Sequence, residues 1–247
     1  MRYLILSDLH ANLEATDAVL EAAAALSIDR ALVLGDLVGY GPNPNEVVDR
    51  VLGLKDAMVI RGNHDRVASG LSPDDDFNPR AQAAVRWTAA ALTPAVRDYL
   101  IGLVAGPLAV DDRIEICHGA PFDEDFYVFS PSDASLALKA STRPVCLFGH
   151  THVAMAYGGL DGRVDTVGPY GAAPFTLALA GNTRWLLNCG AVGQPRDGDW
   201  RAAFGVLDTD AQTCAFHRAE YDVRTTQRRI RDAGLPASLA QRLGPGR

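Results

Sequence analysis

An apolar run over residues 1–6 ends on Ser7, Asp8, Leu9 and His10, and that ending constrains the chain more than any other feature. A carboxylate and an imidazole stand two residues apart directly after a strand-like segment. In extended backbone both then point to one side, where a single ion could take both. The same spacing recurs at His150 and His152, after the apolar run 145–148. Between these pairs lie Gly35 with Asp36, then Gly62, Asn63, His64 and Asp65, then His118 with Gly119, each again at the end of a strand-like run. Five of the six histidines therefore sit at strand ends.

Strand-like runs and helical patterns alternate through the first half. Asn12 can cap a helix over 13–27, whose leucine, valine and alanine positions form an apolar stripe. A second strand at 30–34 leads into a glycine-rich loop, after which Asn43, Pro44 and Glu46 offer a cap, a favoured first helical residue and a capping-box partner for a helix to Leu52. A third strand at 57–60 delivers Asn63 and His64. Residues 66–105 change character: an acidic loop with Asp74, Asp75 and Asp76 precedes helices starting at Pro79 and Pro94, which reads as a helical insertion beside the site. The acidic run itself reads as a solvated loop, since nothing near it has ligand spacing.

Strands resume at 108–110 and 113–117, a helix spans 131–142, and a strand follows at 145–148. From 153 onward strand and turn signals dominate, at 153–157, 164–167, 175–179, 185–187, 203–207 and 213–217, before Asp222 caps a last helix to Ala233. The first half is βαβ-like and the second strand-rich. An α/β fold with two mixed β-sheets packed as a sandwich and flanked by helices reconciles them in one domain over 1–247.

With 48% of 247 residues apolar, the chain can bury a substantial core. Its net charge of −7 argues against nucleic acid as a partner, while leaving room for a local basic pocket that takes a small anionic substrate. Arg224, Arg228 and Arg231 share a face of the last helix, a pattern that reads as a solvated face. Cys117, Cys146, Cys189 and Cys214 show no paired spacing and fall in apolar runs, so they read as reduced core thiols. Residues 1–6 are too short for a signal peptide, and no apolar run approaches the roughly 18 residues of a membrane span. The expectation is a cytoplasmic protein without membrane contact, with a homo-oligomer left open.

Asp8, His10, Asp36, Asn63, His118, His150 and His152 make up two carboxylates, one amide and four imidazoles. One ion cannot use seven side chains. Two ions sharing a carboxylate can, and mixed nitrogen and oxygen donors suit Mn, Fe, Co, Ni or Zn better than Mg or Ca. Two ions about 3.5 to 4 Å apart can hold a hydroxide between them and clamp a phosphoryl group for in-line attack. Taken singly, His118 reads as a structural histidine, Asn63 as a turn residue and Asp36 as a turn cap. Only the ensemble is specific.

In their order, Asp8-Leu9-His10, Gly35-Asp36, Gly62-Asn63-His64-Asp65, His118-Gly119 and Gly149-His150-Thr151-His152 resemble the successive motifs of the calcineurin-like metallophosphoesterase superfamily. The loop 188–196 extends the match. The resemblance implies the superfamily's four-layer fold and two metal ions, manganese first among them. Asp8, His10, Asp36 and His152 would bind one ion, and Asp36, Asn63, His118 and His150 the other, with Asp36 bridging. His64 would not be a ligand; it would stabilise or protonate the departing oxygen, with Asp65 orienting its ring and favouring its protonated form. A simple turn carboxylate is nearly as good a reading of Asp65.

Within the superfamily, residues 35–42 and 188–196 resemble a small bacterial and archaeal subgroup of phosphodiesterases. The implied activity is hydrolysis of phosphodiesters or nucleotide-like small molecules by a metal-bridging hydroxide. The same metal core serves phosphomonoesterases, serine/threonine protein phosphatases included. A non-catalytic scaffold on the same fold would show degraded motifs, and none is degraded. Two departures stand out: Cys189 and Ala191 replace the usual proline and serine, and Phe122 stands where some members carry arginine. Tyr40, Asn43 and Arg196 are candidate substrate contacts. The structural alternatives are packing for Tyr40, helix capping for Asn43 and pairing with Asp197 or Asp199 for Arg196. His217 lies far from every motif and reads as structural.

Overall fold

The computed structural model describes residues 1–169, 173–179 and 181–247. Along the chain it forms β1 (Arg2–Leu6), α1 (Leu13–Ala24), β2 (Arg30–Val33), α2 (Pro44–Leu52), β3 (Met58–Val59), α3 (Asn63–Ser69), α4 (Pro79–Ala91), α5 (Pro94–Gly102), β4 (Leu108–Ala109) and β5 (Ile114–Ile116). There follow α6 (Pro131–Ala140), β6 (Val145–Leu147), β7 (Met155–Leu160), β8 (Arg163–Gly168), β9 (Phe175–Ala178), β10 (Arg184–Asn188), β11 (Ala202–Asp208), β12 (Thr213–Ala219), α7 (Val223–Asp232) and α8 (Ala237–Leu243).

The strands make two six-stranded mixed sheets, ordered β3-β2-β1-β11-β12-β9 and β4-β5-β6-β10-β7-β8. The residues of β1 explain the layering. Tyr3 and Ile5 pack with Ile116, Leu147 and Leu187 of the other sheet, whereas Leu4 and Leu6 pack with Val19 of α1 and Val47 of α2. A strand apolar on both faces is one covered on both sides. On the far side of the second sheet, Cys146, Tyr157 and Leu186 pack against Ala134, Ala137 and Leu138 of α6. Helix, sheet, sheet and helix thus form four layers, as the sequence leads one to expect. Each fully buried leucine in them contributes about 2 kcal/mol.

Asn78 and Thr93 cap α4 and α5, accepting from Ala81 N and Val96 N. Several local expectations need correction. The first helix stops at Ala24, because Ser27 takes a left-handed turn conformation with φ +51°. Asn43 does not cap α2; its amide donates to the Glu46 carboxylate at 3.2 Å instead, so no capping box forms. Two short helices lie outside the sequence reading, α3 and α8. The four cysteines are free and buried, and they meet in pairs, with Sγ–Sγ distances of 3.6 Å for Cys117–Cys146 and 4.0 Å for Cys189–Cys214.

Candidate metal centre

β1, β2 and β3 run parallel in one sheet, as do β5, β6 and β10 in the other, and the loops leaving their carboxyl ends converge. Open α/β sheets place ligands at such ends. Asp8 and His10 follow β1, Asp36 follows β2, His118 follows β5, and His150 and His152 follow β6; all are buried. Asn63, His64 and Asp65 occupy the first turn of α3 and are buried as well.

The strand pleat is not what brings these side chains together. Asp8, His10, Asp36, His150 and His152 have φ of 53°, 45°, 53°, 65° and 59°, left-handed rather than extended. Each such residue costs about 1–2 kcal/mol, and main-chain hydrogen bonds hold the conformation. Asp8 N donates to Gly35 O at 3.1 Å, His10 N to Asp36 O at 2.9 Å, and Gly193 N to Asp8 O at 2.9 Å. Glycine is needed where these loops approach one another closely, as Gly62 and Gly149 show. A Cβ on Gly62 would lie 2.2 Å from Asp36 Oδ1, and one on Gly149 would lie 2.0 Å from Ser7 Oγ.

The donors form two groups. In the first, His10 Nε2 lies 3.0 Å from His152 Nε2, with Asp8 Oδ1 3.4 Å from His152 Nε2 and Asp36 Oδ2 3.5 Å from His10 Nε2. The opposite ring nitrogens donate to main-chain carbonyls, His10 Nδ1 to Val38 O at 3.0 Å and His152 Nδ1 to Gln194 O at 2.7 Å. That fixes both tautomers and leaves two bare Nε2 lone pairs facing each other and two carboxylates. Four acceptors with no hydrogen among them repel, and a cation between them removes the conflict. Burial holds both rings well below the ordinary histidine pKa, so neither resolves it by protonation.

In the second group, His118 Nε2 lies 3.2 Å from Asn63 Oδ1, 3.2 Å from His150 Nδ1 and 3.4 Å from Asp36 Oδ2. His118 Nδ1 donates to Leu34 O at 2.7 Å, and His150 Nε2 donates to Asp125 O at 3.1 Å, so His150 offers Nδ1 where the others offer Nε2. Burial opposes a charge on His118, but Asp36 outweighs it and raises the ring to about 10. Conversely, burial works to raise Asp36, and His118, His64 and His10 outweigh it and hold it well below the carboxylate range. The donor set fits two ions: Asp36 Oδ2 belongs to both groups, and the pair His150 and His152 is divided between them.

His64 lies beside both groups without joining either. Its main-chain N–H donates to Asp36 Oδ1 at 2.9 Å, its ring packs on Tyr40 at 4.3 Å and Phe77 at 4.6 Å, and its Nδ1 is buried against Gly39 without a hydrogen-bond partner among the described residues. Burial lowers it to about 4. Of the two readings of Asp65, the contacts support the turn carboxylate and not the orienting role. Its carboxylate accepts from Val38 N at 3.1 Å and Gly62 N at 2.9 Å, tying the loop after β2 to the start of α3, and it neither orients His64 nor favours its protonation.

Tyr40 packs on His10 at 4.6 Å as well as on His64, and Arg196 Cζ lies 5.9 Å from the centre of the Tyr40 ring. Arg196 donates to Gln194 Oε1 at 3.1 Å, while Asp197 pairs with Arg218 and Asp199 with Arg201. Asn43 is engaged with Glu46. His217 stacks on Phe204 at 5.0 Å, away from the centre. Cys189 belongs to the core between the sheets, so that departure is a matter of packing, whereas Phe122 is exposed against Phe126.

From the loop 120–129 sequence reasoning took only Phe122 and missed Tyr127, Phe129 and Glu124. Tyr127 lies 3.9 Å from the His150 ring and Phe129 stacks on Tyr127 at 5.5 Å, and both remain exposed, at 45% and 58%. Glu124 binds Arg61 at 3.1 Å and also Arg66, and Asp125 binds Arg66 at 2.7 Å, fastening the carbonyl that His150 uses. The aromatic run after the His118 motif was the available signal.

A family model described as the calcineurin-like phosphoesterase superfamily domain matches residues 1–212. The crystal structure of a metallophosphoesterase from Sphaerobacter thermophilus is similar with a TM-score of 0.88 and 38% identity, over 100% of this chain and 99% of that one. The hypothetical protein PH1004 from Pyrococcus horikoshii shares the fold, with a TM-score of 0.79 at 20% identity over 98% and 97% of the two chains. The uncharacterized protein MJ0912 of Methanocaldococcus jannaschii is 29% identical over 98% of this chain and 97% of its own length.

Proposed function

Since the chain belongs to the calcineurin-like phosphoesterase superfamily, we propose that it is a dinuclear-metal phosphoesterase acting on phosphodiesters or nucleotide-like small molecules in preference to phosphomonoesters. One observation carries the dinuclear reading. Asp36 Oδ2 lies 3.5 Å from His10 Nε2 and 3.4 Å from His118 Nε2, the position of a carboxylate shared by two ions. Asp8, His10, Asp36 and His152 would hold one ion, and Asp36, Asn63, His118 and His150 the other. The mixed nitrogen and oxygen donors suit manganese. Such ions supply Lewis acidity and lower the pKa of bound water.

The chain's own groups do the rest. Arg196, beside Tyr40 and free of any carboxylate partner among the described residues, would bind phosphoryl oxygens. His64 would act as a neutral hydrogen-bond donor: a bare Nδ1 lone pair is cheaper to bury unpaired than an N–H, so the N–H is on Nε2, from where it would stabilise the leaving oxygen by a hydrogen bond without giving up the proton. The exposed rings of Tyr127 and Phe129 beside His150 suit an aryl or nucleoside leaving group. A single guanidinium with an aromatic lip favours a diester, which carries one charge and a second organic group.

Elemental analysis of purified protein, paired with hydrolysis of an aryl phosphodiester and its monoester after loading with manganese, tests the reading. About two ions per chain and faster turnover of the diester are expected. Faster turnover of the monoester would reverse the substrate preference, and protein that takes up no metal would remove the site.

A further inference from the structure

Four of the five imidazoles at the centre are oriented by a ring nitrogen that donates to a main-chain carbonyl: Val38 O for His10, Leu34 O for His118, Asp125 O for His150 and Gln194 O for His152. His64 has no such tie. Its side chain makes no hydrogen bond among the described residues, and the carboxylate of Asp65 is committed to Val38 N and Gly62 N. A histidine side chain hops between rotamers unless something blocks it. Packing alone therefore sets the direction in which this ring points.

That packing has one source. The His64 ring meets Tyr40 and Phe77 at centroid distances of 4.3 and 4.6 Å, with His10 edge-on at 4.9 Å. Backbone closes the Nδ1 edge, since a side chain at Gly39 would collide with it. Tyr40 and Phe77 rest in turn on a single apolar cluster that includes Ala84 of α4, Ile230 of α7, and Leu239 and Leu243 of α8. The α7–α8 pair is itself fixed in place. Gln227 Nε2 donates to Ala240 O at 2.9 Å, Arg229 pairs with Glu14 at 2.8 Å, and Gly198 N donates to Gly246 O at 2.9 Å.

We propose that Phe77 and Leu239 are positioning residues for His64: the cluster of α4, α7 and α8, acting through Tyr40 and Phe77, holds the ring in one rotamer and so aims its Nε2–H at the leaving oxygen. The inference rests on the phosphoesterase reading above and deepens it, because assistance to the leaving group then depends on helices that supply none of the metal donors. Loosening the cluster frees the His64 ring while the four donor imidazoles stay tied to their carbonyls.

Two measurements test it. The first compares 4-nitrophenyl and phenyl esters of thymidine 5′-phosphate on manganese-loaded enzyme, since phenolate is the more basic leaving group and gains more from a donated hydrogen bond. Phe77→Ala should lower kcat about tenfold or more for the phenyl ester and less than about threefold for the nitrophenyl ester, with KM little changed. His64→Ala should show the same selectivity, the double variant should lose no more than His64→Ala alone, and Phe77→Tyr, which keeps a ring, should behave as wild type. No loss in Phe77→Ala, equal losses on the two esters, or losses that add in the double variant overturn the inference.

The second measurement reads the ring itself, in metal-free protein carrying ¹³C-labelled histidine. The ring signals of His64, identified by their absence from His64→Ala, should be single and sharp in wild type. Leu239→Ala should broaden or split them and leave those of His118 and His150 in place, whereas Leu138→Ala, at a buried leucine of α6 outside the cluster, should leave all three unchanged. Leu239→Val serves if Leu239→Ala does not fold. Unchanged His64 signals in the Leu239 variant, or equal broadening in Leu138→Ala, overturn the inference. Wild type that hydrolyses neither ester, or His64→Ala without selectivity, overturns the functional reading above instead, and the ring signals then decide the positioning by themselves.

Discussion

In the first donor group the imidazoles of His10 and His152 are tied to main-chain carbonyls of Val38 and Gln194, in loops that are themselves cross-bonded through Val192 N to Ser7 O and Arg196 N to His152 O. In the second, His118 is tied in the same way to Leu34, but His150 leans on Asp125 O in a loop fastened by ion pairs of Arg61 and Arg66 with Glu124 and Asp125. A main-chain fastening survives replacement of any one side chain, whereas an ion-pair fastening does not. On the dinuclear reading proposed above, the second position is therefore the one whose affinity the ion pairs of Glu124 and Asp125 would tune, and it lies beside the exposed aromatic lip.

The largest expected effect breaks both groups together. Asp36→Asn removes the oxygen they share and should abolish uptake of both ions and lower kcat at least about 10³-fold, with the circular dichroism spectrum unchanged. Loss of one ion only, by elemental analysis, would show that the carboxylate is not shared. Next, Glu124→Ala should weaken one of two binding steps about 10- to 100-fold, as loss of an outer partner does, and leave the other step in place. Two steps that weaken together would erase the distinction between the groups.

Glu124 also gives the comparison a pH signature. Burial raises its carboxyl, but Arg61 and Arg66 outweigh burial and hold it below the ordinary value. A depressed carboxylate stabilises the fold above its unfolded-state pKa, and that contribution is lost as pH falls through the folded value. The Tm difference between wild type and Glu124→Ala should shrink in acid. The smallest effect concerns the lip. Tyr127→Ala should raise KM for an aryl diester up to about tenfold, the worth of one aromatic contact, with kcat little changed; an equal rise for inorganic phosphate as inhibitor would show that the ring does not contact the organic group.

The layers were legible because β1 is apolar at successive positions, and the donors because each follows such a run. The conformation that joins them was not. Asp8, His10 and His150 carry no local signal for positive φ, since a glycine would have marked it and a ligand cannot be glycine. α3 was hidden for another reason: seven residues are too few to nucleate a helix alone, and its start is held by Asp65 and the loop after β2. Asn43 and Glu46 matched a capping pattern, yet their side chains bind each other, an outcome that spacing does not distinguish. Arg196 could be placed in a loop but not freed from Asp197 and Asp199 until Arg218 and Arg201 were seen to occupy them.

The left-handed backbone at Asp8, His10, Ala11, Asp36, Tyr40, His150 and His152 also bears on how such a chain can evolve. At about 1–2 kcal/mol each, these residues together store energy comparable with the whole net stability of a typical domain. The lineage can keep them only while the rest of the fold holds a surplus. Selection for catalysis and selection for robustness then act in opposite directions at the same positions. A descendant released from catalysis should drift toward glycine and asparagine there, growing more stable as it loses its chemistry.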